Sequence, residues 1–318
     1  MRNFMDLLRA KWAEGKFVCV GLDSEFSKIP SAVWQGGNEC EVHEGNTIVA
    51  FNRAIVEATK DIVCAYKPNT AFYEAHGAEG IGALQRTIVD IHAIAPDVPV
   101  ILDAKRADIG NTNKGYVGAA FGFLRADAIT VHPYLGAEAL QPFLDMKDKG
   151  IIVLCRTSNP GAGEFQDLEV HIKGDELEYL TSRLTTGVKC SFSLEKCANT
   201  PFRNHVAYRV SQHWNAHGNC ALVVGATYPG ELKEIRAIVG DMPLLIPGVG
   251  FQQKDVPMEQ QVEQVVTAGQ DSRGQGMIIN SSRGIIFASS GKDFAEAARR
   301  ETLKLHDLIN KFRKGVIV

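Results

Sequence analysis

The segment Ile101–Thr112 reads ILDAKRADIGNT: an apolar, strand-like run ends in alternating charges and passes into a polar loop. Eight apolar runs of this kind, rich in β-branched residues, recur along the 318 residues. They begin at Phe17, Ile62, Val98, Ala128, Ile151, Ala221, Pro243 and Gly276. Each run is nearly continuous apolar sequence, which is typical of strands buried on both faces of a parallel sheet. A half-exposed antiparallel sheet is therefore disfavoured.

Segments with helical periodicity separate these runs. Examples are residues 46–60, 83–94, 137–146, 231–239 and 259–268. Strand followed by helix, repeated eight times, predicts an α/β fold: a single (β/α)8 TIM barrel domain over residues 1–318. Ahead of the first strand, Phe4, Leu7, Leu8 and Trp12 lie close to one face of a predicted amphipathic helix.

An open, doubly wound sheet uses the same strand and helix units and is the alternative fold. Two features favour the barrel. The first strand ends in VGLDSE and lacks the G-x-G-x-x-G of dinucleotide-binding open sheets. Seven of the eight runs also end in a polar or charged residue. In barrel enzymes the active site lies at these C-terminal ends of the strands. The seven residues are Asp23, Lys67, Asp103, His132, Arg156, Thr227 and Arg283, while the seventh run ends in Gly248.

Two stretches interrupt the rhythm of strands and helices. Residues 31–45 form a polar insertion after the first strand, and residues 165–201 form a longer one after the fifth. The longer insertion contains the helix-like piece DELEYLTSRL but no repeat of strand and helix. Cys190 and Cys197, with His171 and His205, are conceivable zinc ligands, but no C-x-x-C pair anchors such a site. A zinc centre is therefore disfavoured.

The composition excludes several classes of protein. With 45% hydrophobic and 22% charged residues the chain matches average globular proteins, which excludes disordered and low-complexity designs. A net charge of −3 provides no general attraction for nucleic acid or an anionic membrane. No stretch approaches the roughly 20 apolar residues that cross a bilayer, and the N-terminus lacks the apolar core of a secretory signal. Because the number of cysteines is odd, at seven, we expect reduced thiols and a cytoplasmic protein.

The densest group of chemically active residues follows the third strand. Asp103 and Lys105 are two apart, so on a regular strand their side chains point to the same face, and Asp108 and Thr112 follow on the loop. Such an array suits three roles: binding of a divalent metal, positioning of a charged lysine as a proton donor, or a structural ion-pair network. Its place at the C-terminal end of a barrel strand favours a functional role.

A second group follows the last two strands. PGVGFQQ, residues 247–253, and NSSRG, residues 280–284, lie where barrels commonly bind phosphate. Glycines let backbone N–H groups approach the anion, and a following helix N-terminus adds its positive dipole. Arg283 and Gln252 would supply side-chain contacts. Phosphate binding is favoured over the simpler interpretation that these glycines only make tight turns.

Together the motifs resemble those of the orotidine 5′-phosphate decarboxylase family. DAKRADIGNT matches the family's D-x-K-x-x-D-I-x-x-T signature, PGVGFQ and SRG match its phosphate loops, and VGLD and YKPN match its ribose-binding segments. The resemblance extends from the first strand to the eighth, outside the two insertions. SNPGA at residues 158–162 and HPYLG at 132–136 resemble the branch of the family with longer chains.

The resemblance implies a catalytic array of Asp103, Lys105 and Asp108, with Lys105 as the proton donor to C6 of the pyrimidine. It implies no metal and no organic cofactor. It also implies a homodimer in which Asp108 and Thr112 reach into the neighbouring subunit's site. The implied substrate-binding residues are Asp23, Lys67 and Asn69 at the ribose, Thr157 and Ser158 at the pyrimidine edge, Pro247 near the base, Gly250, Gln252, Arg283 and Gly284 at the phosphate, and Ile109 and Thr112 beside the array.

The expected activity is decarboxylation of orotidine 5′-phosphate to uridine 5′-phosphate and CO2 in de novo pyrimidine biosynthesis. A metal-dependent sugar-phosphate decarboxylase or aldolase of the same barrel superfamily shares D-x-K-x-x-D and is one alternative. Lys67 with Asn69, and the I-x-x-T continuation, favour the nucleotide enzyme, and insensitivity to a chelator would separate the two. A non-catalytic nucleotide-binding barrel, which would bind uridine monophosphate without turnover of orotidylate, is the other alternative. No nucleic-acid or membrane partner is expected.

Overall fold

The computed structural model describes residues 2–36, 43–184, 197–250 and 256–314. In this part of the chain eight parallel strands form one sheet. The strands of the sheet are β1 (Val18–Leu22), β2 (Val63–Pro68), β3 (Ile101–Arg106), β4 (Ala128–Val131), β5 (Gly150–Arg156), β8 (Cys220–Val224), β9 (Leu244–Pro247) and β10 (Met277–Ser281); β6 (Glu169–Lys173) and β7 (Cys197–Pro201) form a separate pair. Each of the eight predicted apolar runs forms one strand of the large sheet.

The large sheet curls into a nearly closed barrel. Strand β1 pairs in parallel with both β2 and the last strand, β10. Bridges between Tyr66 and Val100 and between Asn69 and Asp103 join β2 to β3, the two ends of the strand order. The predicted (β/α)8 barrel is confirmed, and the open sheet is excluded because its first strand would not lie beside its last.

Helices connect the barrel strands. They are α1 (Phe4–Ala13), α2 (Glu44–Thr59), α3 (Ala71–Glu74), α4 (Gly77–Ile94), α5 (Gly110–Val117), α6 (Gly136–Leu144), α7 (Gly163–Gln166), α8 (Asp175–Leu184), α9 (Phe202–Arg209), α10 (Pro229–Val239), α11 (Met258–Gly269), α12 (Arg283–Ile286) and α13 (Phe294–Phe312). The five segments with helical periodicity correspond to α2, α4, α6, α10 and α11. Within the described ranges no helix combines the length and the apolar character needed to span a membrane.

Helix α1 covers the end of the barrel where the strands begin. Phe4, Leu8 and Trp12 on one helical face are buried, as the amphipathic pattern predicts. The Trp12 indole donates a hydrogen bond to the carbonyl of Met277, at the start of β10. Phe4 lies so close to Gly150 that a Cβ there would be 2.3 Å from its ring, so only glycine fits at the start of β5. This end of the barrel is thereby closed.

The longer insertion lies between β5 and β8, as predicted. It contains α7, the antiparallel pair β6 and β7, and α8, which matches the helix-like piece DELEYLTSRL. The sequence did not reveal the strand pair, because EVHIK in β6 is short and mostly exposed. His171 contacts Asn199 and His205 contacts Glu176, while Cys190 lies outside the described residues. Of the shorter insertion, residues 37–42 also lie outside them.

Candidate active site

A cavity of about 480 Å³ opens at the C-terminal ends of the barrel strands, a volume that suits a small-molecule ligand. Nine of the residues predicted from sequence line it: Asp23, Lys67, Asn69, Asp103, Lys105, Thr157, Ser158, Pro247 and Arg283. Four lining residues were not predicted from the sequence: Thr130, Leu154, Val223 and Leu245. The remaining six belong to the motifs SNPGA, PGVGFQQ and NSSRG: Asn159, Gly248, Val249, Asn280, Ser281 and Ser282. Almost every barrel strand thus contributes to one pocket.

Asp103, within β3, is the centre of the charged group in this cavity. Its Oδ2 accepts a hydrogen bond from Lys67 Nζ at 2.7 Å, and its Oδ1 accepts one from Lys105 Nζ at 2.6 Å. The Thr130 hydroxyl donates a further hydrogen bond to Oδ1 at 2.9 Å. A single carboxylate from β3 therefore orients two ammonium groups, one on β2 and one on its own strand.

Burial and charge act in opposite directions on this group. Burial by itself raises the pKa of Asp103, but the charges of Lys67 and Lys105 outweigh it and hold that pKa well below its ordinary value. Burial likewise disfavours the Lys67 ammonium, but Asp103 and Asp23 outweigh it and raise the pKa of Lys67 above its ordinary value. Both groups are therefore charged at neutral pH, within a cavity that concentrates their field.

Lys105 reaches Asp103 through a distortion of β3. Leu102 pairs with Ile129 and Arg106 pairs with Val131, so β3 advances four residues where β4 advances two. Lys105 has a φ of 48°, in the left-handed region that lysine seldom adopts, and its N–H donates to the Thr130 hydroxyl at 2.9 Å. The expectation of a regular strand with Asp103 and Lys105 on one face is wrong in its geometry, because a bulge creates the contact.

Three of the predicted residues after β3 lie outside the cavity. The Asp108 carboxylate accepts a hydrogen bond from the Ile109 N–H at 2.6 Å, and the Asp108 N–H donates to Asn113 Oδ1 at 2.8 Å. The Ile109 side chain is 62% exposed and Thr112 is exposed as well. Within one chain, the charged group of the cavity thus contains Asp103 and Lys105 but not Asp108.

The predicted phosphate loops border one side of the cavity. Pro247, Gly248 and Arg283 line it, and Gly248 has a φ of 100° that requires glycine. Gly250 also has a positive φ, but its N–H donates to Gln261 Oε1. Gly284 belongs to α12, and neither glycine lines the cavity. Gln252 lies outside the described residues. Helix α12 has only four residues, so its dipole adds less than the sequence suggested.

Two polar residues in the cavity, Thr130 and Asn280, were not assigned a role of their own from the sequence. Thr130 hydrogen-bonds both Asp103 and the Lys105 backbone, and a threonine hydroxyl near the end of the apolar run AITV was the available signal. Asn280 ends the apolar run of β10 and is 5% exposed. Its Oδ1 has no hydrogen-bond partner among the described residues, which suits a group that receives a ligand's donor.

The arrangement is suited to proton transfer next to a developing negative charge. Two lysines beside one carboxylate provide a fixed positive field, and an ammonium group such as that of Lys105, whose side chain is 48% exposed, is of the type that serves as a general acid. No group of three or more histidine, cysteine or carboxylate side chains positioned to hold a metal ion occurs in the described ranges. The cationic Arg283 lies at the same mouth, where an anionic ligand group would meet it.

Comparison with known proteins gives consistent matches over almost the full chain. The model of the orotidine 5′-phosphate decarboxylase / HUMPS family matches residues 16–300. The orotidine 5′-phosphate decarboxylase of Ralstonia pickettii (strain 12J) is 44% identical over 312 residues, 98% of this chain and 99% of that protein. The protein of the same name from Azoarcus sp. (strain BH72) is 43% identical, over 98% of this chain and 100% of its own length. The solved structure of Leishmania donovani OMP decarboxylase is similar at a TM-score of 0.72 and 33% identity, over 96% of this chain and 98% of that one.

Proposed function

Since the chain belongs to the orotidine 5′-phosphate decarboxylase family, we propose that it is a carboxy-lyase that converts orotidine 5′-phosphate to uridine 5′-phosphate and CO2. This reaction belongs to pyrimidine biosynthesis, and we place it in the cytoplasm. The observation that carries the proposal is the cavity in which Asp103 holds both Lys67 and Lys105. Curated relatives named for this activity align over 98% of the chain, which favours it over a sugar-phosphate enzyme.

In the proposed reaction the bond between C6 and the carboxylate carbon breaks, CO2 leaves, and the electron pair remains on C6. The ammonium group of Lys105 stabilises this charge as it develops and then donates its proton to C6. Lys105 recovers a proton from water afterwards. Asp103 orients the lysine toward the cavity through the hydrogen bond of 2.6 Å from Lys105 Nζ.

The remaining cavity residues bind the substrate in this proposal. Arg283 and the backbone beside Gly248 hold the phosphate, because a guanidinium matches phosphate oxygens and the glycine permits close backbone approach. Asp23 and Asn69 bind the ribose hydroxyls together with Lys67. The segment of Thr157 and Ser158 binds the pyrimidine edge. Binding energy from the phosphate then contributes to assembling the charged site.

We also propose that the enzyme is a homodimer that shares its active sites. Asp108 and Thr112 lie outside their own cavity, and Ile109 between them exposes 62% of its side chain. Tyr134, on the loop after the neighbouring strand β4, is 82% exposed and is a second large apolar side chain left uncovered. A second copy that covers the surface would bring its Asp108 to the Lys105 of the first, which completes the array of three charged residues.

The activity is tested by mixing chelator-treated protein with orotidine 5′-phosphate and following the loss of orotate absorbance. We expect turnover by the wild type, and a loss of about 10³-fold or more for Lys105→Ala, since general acid and electrostatic terms are both removed. An unreactive wild type would refute the activity. Undiminished turnover by the variant would refute the role of Lys105, and inactivation by the chelator would favour the metal-dependent alternative.

Shared sites are tested by complementation between two inactive variants. Lys105→Ala and Asp108→Ala are unfolded, mixed in equal amounts and refolded together. In a mixed dimer one of the two sites has both native residues, so about a quarter of the wild-type activity should return, because half of the dimers are mixed. Mixed and unmixed samples with equal activity would contradict site sharing.

A further inference from the structure

The segment Thr157–Asn159, which lines the cavity just after β5, is held by a side chain from the long insertion. The Thr157 N–H donates to Gln166 Oε1 at 2.9 Å, and Gln166 Nε2 donates to the Thr157 hydroxyl at 2.9 Å. The same hydroxyl donates to Asn159 Oδ1 at 2.7 Å. One amide on α7 thus holds both the backbone and the side chain of the segment.

The segment is also fixed from the side of the barrel. Gly225, immediately after β8, donates its N–H to the Arg156 carbonyl at 2.8 Å. A Cβ at Gly225 would lie 2.9 Å from Ser158 Cβ, closer than real Cβ contacts, and 3.0 Å from Ser158 N, closer than most of them. Ser158 is therefore packed against Gly225, while Gln166 holds the adjacent Thr157.

Gln166 lies next to an ion-pair cluster that is built on two buried arginines, Arg156 and Arg203. Its neighbour Asp167 accepts from Arg156 Nη2 at 3.4 Å and forms an ion pair with Arg203, at the start of α9. Arg156 is 2% exposed, and its Nε donates to Glu231 on α10. Because the start of the insertion is locked to β5, α9 and α10, the Gln166 amide has a fixed position relative to the cavity.

We propose that Gln166 is a positioning residue that sets Thr157 and Ser158 for recognition of the pyrimidine ring. The inference rests on the proposed function, and it assigns the start of the long insertion a role in substrate specificity. Hydrogen bonds to a ring edge depend on distance and angle, so a loop that presents them must be held in one conformation. Phosphate and ribose contacts lie on other strands and do not depend on Gln166.

The test compares two ligands that differ in the pyrimidine. Binding of uridine 5′-phosphate and of ribose 5-phosphate is measured by titration calorimetry on Gln166→Ala, Gln166→Glu and Glu164→Ala. We expect Gln166→Ala to lower the affinity for uridine 5′-phosphate by at least tenfold, about 1.4 kcal/mol. The affinity for ribose 5-phosphate should fall by less than twofold. Gln166→Glu should keep most of the affinity, since its carboxylate still accepts from the Thr157 N–H. Glu164, exposed on the same short helix, is the matched control and should leave both affinities unchanged.

A second variant keeps the inference testable if Gln166→Ala does not fold. Gly225→Ala displaces Ser158 from the opposite side and should produce the same selective loss. An equal loss of affinity for both ligands, or no loss of affinity for either in a folded variant, would overturn the inference. Turnover by the wild type would in that case still support the proposed function. A wild type that binds neither ligand and turns over no orotidylate would overturn the proposed function, and this inference with it.

Discussion

Two buried aspartates lie at opposite ends of the barrel, and each accepts hydrogen bonds from cationic side chains and from other donor groups. Asp103 lies within β3 and lines the cavity at one end of the barrel, whereas Asp127 lies just before β4, at the end covered by α1. Asp127 accepts from Arg2 Nε and Nη2, each at 2.9 Å, from the Val100 N–H at 2.9 Å, and it contacts His92 Nε2 at 3.2 Å. By burial and by number of partners the two carboxylates are similar.

Their partners differ in what else they contact. Arg2 also donates to the carbonyls of Pro96 and Val98, so the Asp127 cluster ties the N-terminus to the barrel wall. Lys105 instead projects into an open cavity from a backbone with a φ of 48°. A buried, strongly hydrogen-bonded carboxylate does not by itself indicate catalysis. A strained residue at the C-terminal end of a barrel strand, facing a cavity, does indicate it.

The largest expected effect is on activity. Asp103→Ala should lower kcat/KM by about 10³-fold or more, because Lys105 loses the partner that orients it and Lys67 loses its partner in the cavity. Asp127→Ala should leave kcat/KM within about threefold when assayed well below its melting temperature. Steady-state kinetics on both variants, with circular dichroism to confirm folding, measures this difference. Similar kinetic losses in the two would remove the functional distinction between the ends of the barrel.

The next effect is on stability and concerns the closed end. Asp127→Ala should lower the free energy of unfolding by about 3 kcal/mol, because it leaves Arg2, His92 and the buried Val100 N–H without their acceptor. Asp90→Ala, which removes an ion pair with the exposed Arg53, should cost at most about 1 kcal/mol. Urea titration measures both values. A loss for Asp127→Ala no greater than the control's would show that the cluster is not a structural clamp.

A pH dependence should accompany that stability. Burial alone raises the pKa of Asp127, but hydrogen bonds from His92 and Arg2 outweigh it and lower the pKa from 3.8 to about 2. A lowered pKa in the folded state stabilises the protein above the unfolded value, so the contribution is complete above about pH 4 and is lost as the pH falls to about 2. The shift corresponds to about 2 kcal/mol. The stability difference between wild type and Asp127→Asn should therefore shrink over this window, and a difference independent of pH would contradict the assignment.

The smallest effect concerns the strained backbone at Lys105. A non-glycine residue in the left-handed region costs about 1 kcal/mol, whereas glycine adopts it freely. Lys105→Gly and Lys105→Ala both lack the proton donor and should be equally inactive. The glycine variant should nevertheless be the more stable of the two by up to about 1 kcal/mol in urea titrations. An alanine variant of equal or greater stability would show that the positive φ stores no strain.

Much of the fold could be predicted because its signals are local. Continuous apolar runs predicted the eight barrel strands, and the periodicity between them predicted helices such as α2 and α11 to within a few residues at each end. The strand pair of the insertion was missed because β6 is mostly exposed, without the apolar pattern that reveals a buried strand. For the site, charged residues at strand ends pointed to one pocket, and nine predicted residues do line it.

The barrel, and the end of it where the site lies, follow from the order of residues alone, because burial periodicity and polar strand ends are encoded in neighbouring residues. The three-dimensional fold was needed to show that Lys67, 36 residues away, contacts Asp103, and that a bulge brings Lys105 to the same carboxylate. It also decided that Gln166 holds Thr157. Such contacts depend on strand register and on packing between distant segments. No local pattern carries that information, since the same residue types at the same spacing also occur in structural ion pairs.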